Sequence, residues 1–324
     1  MAEKIPMTPK GTMVVALGGN AISRENEEGN VDQQFANSRK TARQLADLVE
    51  DGWRLVVTHG NGPQIGNFLL RNEAGAGLIY PLPMEVAVAH VQGGMGFMIA
   101  QTLTNELQKR GDNRQVTAIV TTVLVDADDP AFRLPTKPVG RMLTQAEAER
   151  FRREEGWDIQ ETSPGKYRRV VPSPMPRGVP EIVAIRRAVL AGDILVACGG
   201  GGIPVIHDPR GGFQGVRAVV DKDLASALLA TELDAEVLLI LTTEDRVSLD
   251  FGKPSRKAVE QMTIAQAREW LAEGQFPAGS MGPKIEGAIL FSQTVKNDHA
   301  VAIIGPLERA KDAVHGYTGT RITR

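Results

Sequence analysis

The sequence predicts an α/β fold with a largely parallel sheet, on two observations. Short apolar runs typical of buried strands, at residues 12–17 and 54–58, each end in a loop that contains glycine. Between them, residues 34–51 carry apolar side chains at helical spacing, so strand, loop, helix and strand follow in βαβ order. In such sheets ligands bind beyond the carboxyl ends of the strands, where these loops lie.

Residues 194–230 repeat the order of strand, glycine loop and helix, and they add charged residues at the start of the helix. An apolar strand at 194–197 ends in four glycines, Gly199 to Gly202, whose backbone can approach a ligand closely. A predicted helix then begins around Asp221, Lys222 and Asp223. A helix N-terminus favours carboxylates but not an ammonium group, so the lysine indicates a strongly anionic ligand. An ordinary turn and a solvated helix start remain the alternative.

The other elements follow from the same signals. Residues 84–110 predict one helix packed closely at its glycines, or two helices, with His90 in an interior or interface position. Capping signatures at Thr144 and Thr263 each predict a helix start. The remaining predicted strands are 116–125, 170–171, 237–243 and 300–304, and the remaining predicted helices are 180–191, 285–296 and 306–314.

Residues 126–180 differ in character and predict an inserted subdomain that stands off the main sheet, because they are rich in proline and lack a long apolar strand. Within them, prolines restrict the backbone beside Lys137, so its ammonium group is a candidate to close over an anion. Lys284 follows a Gly-Pro step at another predicted helix start, which also suits an anion. A solvated loop lysine and a surface lysine, respectively, are the alternatives.

Composition sets the broad class. The chain has 324 residues, 42% of them hydrophobic and 23% charged, with a formal charge of -2, so nothing predicts nucleic-acid binding. A single cysteine, Cys198, excludes an internal disulfide and a cysteine-rich zinc site, and we expect a small buried residue. The polar N-terminus and the lack of a spanning apolar run predict a soluble, cytoplasmic protein without a membrane partner.

Glycine loops after strands, combined with lysines near helix starts, suit phosphoryl transfer, in which positioning and charge neutralisation do most of the work. The sequence has no G-x-x-x-x-G-K-[ST], no G-x-G-x-x-G, no G-x-S-x-G and no histidine pair at metal-ligand spacing. The residues alone therefore predict an α/β enzyme that handles phosphorylated ligands.

Six motifs in order then identify a resemblance. The chain resembles the carbamate kinases, of the amino-acid kinase superfamily, from Met13 to about Thr320. The motifs are ALGGNA (16–21), THGNGPQ (58–64), VLVDADDPAF with PTKPVG (123–132 and 135–140), CGGGGIPV (198–205), VVDKDLAS (219–226) and GSMGPK (279–284). The PTKPVG insert and the four-glycine loop separate carbamate kinases from most other members.

The resemblance implies a three-layer αβα sandwich with a mainly parallel central sheet and a protruding inserted subdomain. It implies one domain over residues 1–324, with an N-lobe of about 11–215 for the acyl substrate, the insert at about 126–180, and a nucleotide-binding C-lobe of about 216–324. The implied reaction is ATP + carbamate = ADP + carbamoyl phosphate, with Mg²⁺ accompanying the nucleotide. The implied direction is ATP synthesis in arginine catabolism, by a homodimer.

The resemblance also implies roles for single residues. Lys222 would stabilise the transferring group, Asp223 would hold the lysines, Lys284 would reach the terminal phosphate, and Lys137 would reach the substrate from the insert. The implied acyl-substrate residues are Gly18, Gly19, Asn20, Gly60, Asn61, Gly200 and Gly201. The implied nucleotide residues are Thr242, Thr243, Val247, Met281 and Lys284, and no residue is assigned as a metal ligand.

Two departures from the wider superfamily matter. Residues 14–17 hold no lysine before the first glycine loop, an absence that carbamate kinases share, and Lys137 is its natural replacement. Residues 243–246 are more charged than is common there, which puts the adenine contacts in doubt. Two alternatives stay open: a related kinase for another small carboxylate, and a nucleotide-binding sensor without catalysis.

Overall fold

A computed structural model describes residues 10–24, 27–277 and 279–324. The strands in chain order are β1 (Gly11–Leu17), β2 (Trp53–His59), β3 (Val116–Ala118), β4 (Thr122–Val125), β5 (Lys137–Leu143), β6 (Ile159–Ser163), β7 (Lys166–Val171), β8 (Pro176–Gly178), β9 (Ile194–Val196), β10 (Ile203–His207), β11 (Phe213–Gly215), β12 (Val237–Thr242), β13 (Ser248–Leu249), β14 (Lys257–Ala258), β15 (Gln261–Thr263), β16 (Val301–Pro306) and β17 (Thr320–Thr323). The helices are α1 (Val31–Glu50), α2 (Gly62–Ala74), α3 (Met84–Lys109), α4 (Gln145–Glu155), α5 (Ile182–Ala191), α6 (Lys222–Glu232), α7 (Ile264–Ala272), α8 (Met281–Thr294) and α9 (Ala310–His315).

The central sheet has eight strands in the order β15-β17-β16-β12-β1-β2-β9-β3. The six strands from β16 to β3 run parallel, and in the part of the chain that the structure describes, only β16 and β17 pair antiparallel in this sheet. The crossovers between parallel strands are helical, as the βαβ order requires. The predicted α/β fold with a mainly parallel sheet is confirmed.

Helices cover both faces of this sheet, which makes three layers. Val15 of β1 belongs to a core shared with α1, α3 and α9, whereas the adjacent Val14 belongs to a second core shared with α5, α6, α7 and α8. All seven residues of β1 are buried, because a strand covered on both faces has no solvent side. Within the described residues, no helix is both long and apolar enough to span a bilayer.

Side-chain caps explain where several helices begin. Thr144 and Thr263 accept hydrogen bonds from the backbone N–H of the third helical residue, and Glu147 and Gln266 bond back to the cap. Both predicted capping boxes are therefore present. Asn30 makes a third capping box, with Gln33. Helix α1 therefore begins at Val31, three residues before its predicted start at residue 34.

The segment predicted as an insert contains a small sheet of its own, in the order β5-β7-β6, with α4 beside it. Leu143, Ala148, Phe151 and Ile159 form a core separate from the two large ones. Two contacts join this unit to the start of α6: the N–H of Val219 donates to the carbonyl of Pro172, and Lys137 pairs with Asp221. The lobe and insert boundaries stay a prediction.

Several element predictions were wrong in detail. Residues 116–125 form two strands, because the chain turns at 119–121 and β4 joins a second sheet, β11-β10-β4-β8. Helix α8 begins at Met281, four residues before the predicted start, so Lys284 lies in its first turns. Of the two alternatives for residues 84–110, the single helix is confirmed, as Met84–Lys109. His90 on this helix is exposed beside Phe68, so the interior position expected for it is wrong and the interface position stays a prediction.

Candidate functional site

Two lysines from different helices converge on one buried carboxylate. Lys284 Nζ, on α8, lies 3.1 Å from Oδ2 of Asp223, and Lys222 Nζ donates to Oδ1 of the same side chain. The Asp223 side chain is 4% exposed, and the lysine side chains are 14% (Lys222) and 12% (Lys284) exposed. The cluster carries a formal net charge of about +1, which suits an anion that enters beside it.

The titration of this cluster follows from burial and charge. Burial lowers the pKa of Lys222 below its ordinary value, and the neighbouring Lys284 adds to this, whereas Asp223 opposes it. Burial alone would raise the pKa of Asp223, but the two lysines lower it below its ordinary value. Asp223 therefore stays ionised and keeps both ammonium groups in place.

Close packing between α6 and α8 brings the lysines together. A Cβ on Gly287 of α8 would lie 2.7 Å from the carbonyl oxygen of Asp223, so only glycine permits this approach. The first turn of α6 is also fixed to β2, because Ser226 Oγ donates to the carbonyl of Lys222 and lies 2.6 Å from Thr58 Oγ1. Sequence reasoning assigned no role to Gly287, Ser226 or Thr58. Thr58 and Ser226 do lie in the motifs THGNGPQ and VVDKDLAS, whereas Gly287 has no such signal.

Asp221 connects the insert to the same helix start. Its side chain caps α6 by accepting from the N–H of Asp223 at 2.8 Å, and it accepts from Lys137 Nζ at 2.5 Å. The Lys137 side chain remains 35% exposed. The structure therefore places the predicted cation of the insert at the same helix N-terminus as Lys222, through an aspartate that sequence reasoning did not assign.

The glycine loops after β1 and β2 border this cluster. A Cβ on Gly60 would lie 3.0 Å from Cδ of Lys222 and 3.6 Å from the backbone N of Gly19. The stem of Lys222 therefore passes directly over Gly60. Gly18 packs against the carbonyl of Leu241, at the end of the neighbouring β12. The side chain of Asn20 lies outside the described part of the chain.

The four-glycine loop after β9 lies against the same region. A Cβ on Gly200, where φ is +66°, would lie 2.0 Å from Nδ2 of Asn61, and one on Gly201 would lie 2.1 Å from the carbonyl of Val220. Asn61 is 5% exposed, and its Nδ2 has no hydrogen-bond partner among the residues that the structure describes. A buried amide donor left open in this way is suited to an oxygen of a bound ligand.

His59, at the end of β2, is a second polar side chain with an open atom. It is 1% exposed, its Nδ1 lies 3.1 Å from the carbonyl oxygen of Gly60, and its Nε2 has no hydrogen-bond partner within residues 10–24, 27–277 and 279–324. Burial, together with the charge of Lys222, lowers the pKa of His59 to about 4, so the ring is neutral near pH 7. Its place in the THGNGPQ motif is the only signal in the sequence.

The predicted nucleotide residues lie after β12 and at the start of α8. Thr242 ends β12 and is partly buried, Thr243 is exposed, and Met281 is the first residue of α8. Val247 is fully buried in the core, and its N–H donates to Thr320. Thr242 lies beside the site in the sheet, because β12 is the neighbour of β1. The contacts of these four residues with a nucleotide stay a prediction.

Comparisons with known proteins agree with this geometry. The sequence profile described as the amino acid kinase family matches residues 11–304. A carbamate kinase of Pyrococcus horikoshii is 45% identical over 313 residues, which cover 96% of this chain and 98% of that protein. A carbamate kinase of Clostridium perfringens is 42% identical over 317 residues, covering 96% and 99%.

A solved structure of a carbamate kinase is also similar to this chain. Carbamate kinase from Giardia lamblia bound to AMP-PNP is 36% identical and superimposes with a TM-score of 0.90, over 97% of this chain and 98% of that one. With almost the whole chain matched at this identity, the chain belongs to the amino acid kinase family, and within it to the carbamate kinases.

Proposed function

We propose that this chain catalyses reversible phosphoryl transfer between ATP and carbamate, and that it makes ATP from carbamoyl phosphate in arginine catabolism. The observation that carries the proposal is the convergence of Lys222 and Lys284 on Asp223, beside the glycine loops that follow β1, β2 and β9. Curated carbamate kinases that match almost the whole chain support it.

Charge neutralisation is the main task in this reaction, because the phosphoryl group in transit carries negative charge on its oxygens. Lys222 is held over Gly60 and supplies positive charge on the acyl side, and Lys284 supplies it from α8 on the nucleotide side. Asp223 fixes both ammonium groups before substrates arrive. Little reorganisation is then needed at the moment of transfer, which is where preorganised charge gives its advantage.

The acyl substrate needs donors more than catalytic acids or bases. The backbone N–H groups of Gly18 and Gly19, and the open Nδ2 of Asn61, are the donors we assign to the oxygens of carbamate or of the phosphoryl group. Gly60 contributes space rather than a donor, because its N–H donates to the carbonyl of Leu17 at 3.0 Å. Gly200 and Gly201 complete the wall of this cradle. Lys137 would release Asp221 and turn to the substrate, which its partial exposure permits.

For the metal, we propose that Mg²⁺ arrives with the nucleotide phosphates. The carboxylates of Asp221 and Asp223 already accept hydrogen bonds from lysines, so they offer few free oxygens. Mg²⁺ usually binds to substrate phosphates, water and one or two carboxylates, and it neutralises phosphate charge there. Asp221, at the edge of the cluster, is the side chain we assign as the available carboxylate, because its Oδ2 would become free when Lys137 turns to the substrate.

We further propose that the chain acts in the cytoplasm, where ADP and ATP are available, and as a homodimer. An outer strand of the sheet, β3, supports the dimer, because Phe97 and Val120 beside it are 58% and 55% exposed. Light scattering on the purified protein distinguishes a dimer of about twice 34.9 kDa from a monomer.

The test of the reaction is direct. Pure protein with MgADP and carbamoyl phosphate should form ATP, and with acetyl phosphate it should form much less. ATP formed only from acetyl phosphate would instead support a kinase for another small carboxylate. No turnover with either donor, but ADP binding by calorimetry, would support a nucleotide-binding sensor.

Lys222→Ala tests the assigned charge. Turnover should fall by roughly two to three orders of magnitude, while ADP affinity changes little, because the interaction belongs to the transition state. Lys296→Ala, at an exposed lysine after α8, is the control and should leave both quantities unchanged. Loss of ADP binding with turnover per bound complex preserved would contradict the role.

A further inference from the structure

A buried glutamine on α3 holds the start of the four-glycine loop. Gln92 is 4% exposed, and its Nε2 donates to the carbonyl of Gly199 at 3.0 Å and to that of Thr121 at 3.2 Å. Its Oε1 accepts from the N–H of Thr121 at 2.6 Å. One amide group therefore joins α3, the turn between β3 and β4, and the loop after β9.

Thr121 completes the attachment. It is fully buried, and its hydroxyl accepts from the N–H of Cys198 at 3.1 Å while it donates to the carbonyl of Ile119 at 2.8 Å. Both the N–H of Cys198 and the carbonyl of Gly199 are thus bound to the same Gln92–Thr121 pair. This pair fixes the loop at its point of departure from β9.

The loop needs such support because its backbone is strained. Cys198 has φ +49°, a left-handed conformation that side chains other than glycine adopt at a cost, and Gly200, Gly201 and Gly202 follow with positive φ. Conformations of this kind persist only where the surroundings fix them. Hydrogen bonds from Gln92 and Thr121 supply that constraint.

Packing supports the far end of the loop, since a Cβ on Gly201 would lie 2.1 Å from the carbonyl oxygen of Val220 and one on Gly202 would lie 2.3 Å from Cγ2 of Val123. A cavity of about 250 Å³ lies beside the start of the loop, with Gln92, Gly199, His59 and Phe97 among its lining residues. At this start, the hydrogen bonds with Gln92 and Thr121 add to the packing and fix the direction in which the loop leaves β9.

The position of this loop matters to the open donor of the cradle. Gly199 lies against His59, where a Cβ would be 2.3 Å from Nε2, and Gly200 lies against Nδ2 of Asn61. His59 in turn contacts the carbonyl of Gly60, beneath the stem of Lys222. A shift of the loop would therefore move Asn61 and Gly60, which face the acyl substrate in the proposed function.

We infer that Gln92 is a positioning residue for the acyl-substrate side of the reaction, acting through Gly199, and that Thr121 acts with it. This inference rests on the proposed carbamate kinase activity. Gln92 touches no substrate itself. Its loss should change the handling of carbamoyl phosphate while the nucleotide side, built from the C-terminal part of the chain, keeps its affinity.

The experiment compares Gln92→Met with Thr102→Val in the ATP-forming direction. Thr102 is a matched control, because it is also 4% exposed, also on α3, and also bonded across the core, to Ser38 at 2.7 Å. Gln92→Met should lower kcat/KM for carbamoyl phosphate about 10- to 100-fold, the range that misplaced reacting groups produce, with KM for ADP within about twofold. Thr102→Val should lower the melting temperature without that kinetic change.

The variant Gln92→Glu tests the role through the pH dependence of activity, which a purely structural role of Gln92 would not change. A protonated carboxyl has one donor and one acceptor, so it can replace the amide between Gly199 and Thr121, whereas the ionised form repels both carbonyls. Activity of Gln92→Glu relative to wild type should rise as the pH falls from about 8.5 to about 6.5, since burial raises a carboxyl pKa into this range. Gln92→Met should show no such rise.

Thr121→Val removes the other attachment and should also lower kcat/KM for carbamoyl phosphate, so a variant that fails to fold does not leave the inference undecided. If wild type forms no ATP from carbamoyl phosphate, the proposed function fails. If wild type does, but the folded variants among Gln92→Met, Gln92→Glu and Thr121→Val match Thr102→Val in kcat/KM, the positioning role is wrong.

Discussion

Lys284 Nζ lies 3.1 Å from Oδ2 of Asp223, although 61 residues separate the two in the chain. Lys222 occupies the other oxygen of the same carboxylate. One buried aspartate therefore sets the distance between two ammonium groups that come from different helices. In the function proposed above, this distance governs how the two lysines share the charge of the phosphoryl group in transit.

Asp223→Asn should lower kcat about 100-fold or more, because the lysines lose the charge that holds them. It should also move the alkaline limb of the pH–rate profile. Lys222 must be protonated to act, burial already lowers its pKa, and Asp223 raises it again. Without the carboxylate the pKa falls further, so activity should be lost at lower pH than in wild type. Asp298→Asn, at an exposed surface pair, is the control.

Lys137→Ala should lower kcat/KM for carbamoyl phosphate by about one to two orders of magnitude, because a cation on the acyl side is lost. Lys166→Ala provides the comparison, since Lys166 lies in the same small sheet but is exposed and has no ion pair among the described residues. The measurement is kcat/KM for carbamoyl phosphate in steady-state assays of both variants. Equal losses in the two variants would mean that Lys137 contributes only general positive charge.

Gly200→Ala should abolish most of the affinity for carbamoyl phosphate. The new Cβ would lie 2.0 Å from Nδ2 of Asn61, so the amide donor must move. Gly212→Ala separates this clash from backbone strain, because Gly212 also has positive φ (+84°) but nothing lies within 4 Å of its Cβ. The control should lose about 1–2 kcal/mol of stability and keep its KM values. KM for both substrates and thermal melting of both variants are the measurements.

Cys198 should resist alkylation in the folded protein. Its side chain is fully buried, and burial, with a smaller effect of Glu181 and Glu232, raises the pKa of the thiol well above its ordinary value. Thiolate is the reactive form, so little is present near pH 8. Labelling with iodoacetamide should be slow in buffer and fast in denaturant; rapid labelling accompanied by loss of activity would show that the loop opens readily.

The sequence predicted the parts of the site that depend on local chemistry. Glycine after an apolar run and lysine at a helix start are unusual enough to indicate an anion site, and Lys222, Lys284 and Lys137 do converge on the adjacent Asp221 and Asp223. The presence of most strands and helices was predictable from the sequence. A strand covered on both faces is a continuous apolar run, and a capped helix begins at a recognisable capping residue.

Features that depend on distant partners were not predictable. Gln92 acts on Gly199, 107 residues away, and its side chain looks like any polar residue on a helix. The division of residues 116–125 into two strands was equally hidden, because a β-branched run indicates extended backbone but not which sheet it joins. The need for glycine at position 287 of α8 becomes visible only when α6 is seen to pack against it.

The place of β17 in the sheet has a consequence for biosynthesis. This strand lies between β15 and β16, inside the sheet rather than at its margin, yet it is the last to be translated of the eight. While the ribosome still holds residues 320–323 in its exit tunnel, β15 has no strand to pair with in this sheet and β16 lacks one neighbour. The end of the sheet formed by β15, β17 and β16 therefore closes only after these residues emerge, whereas β1, β2, β3 and β9 can already pair during elongation.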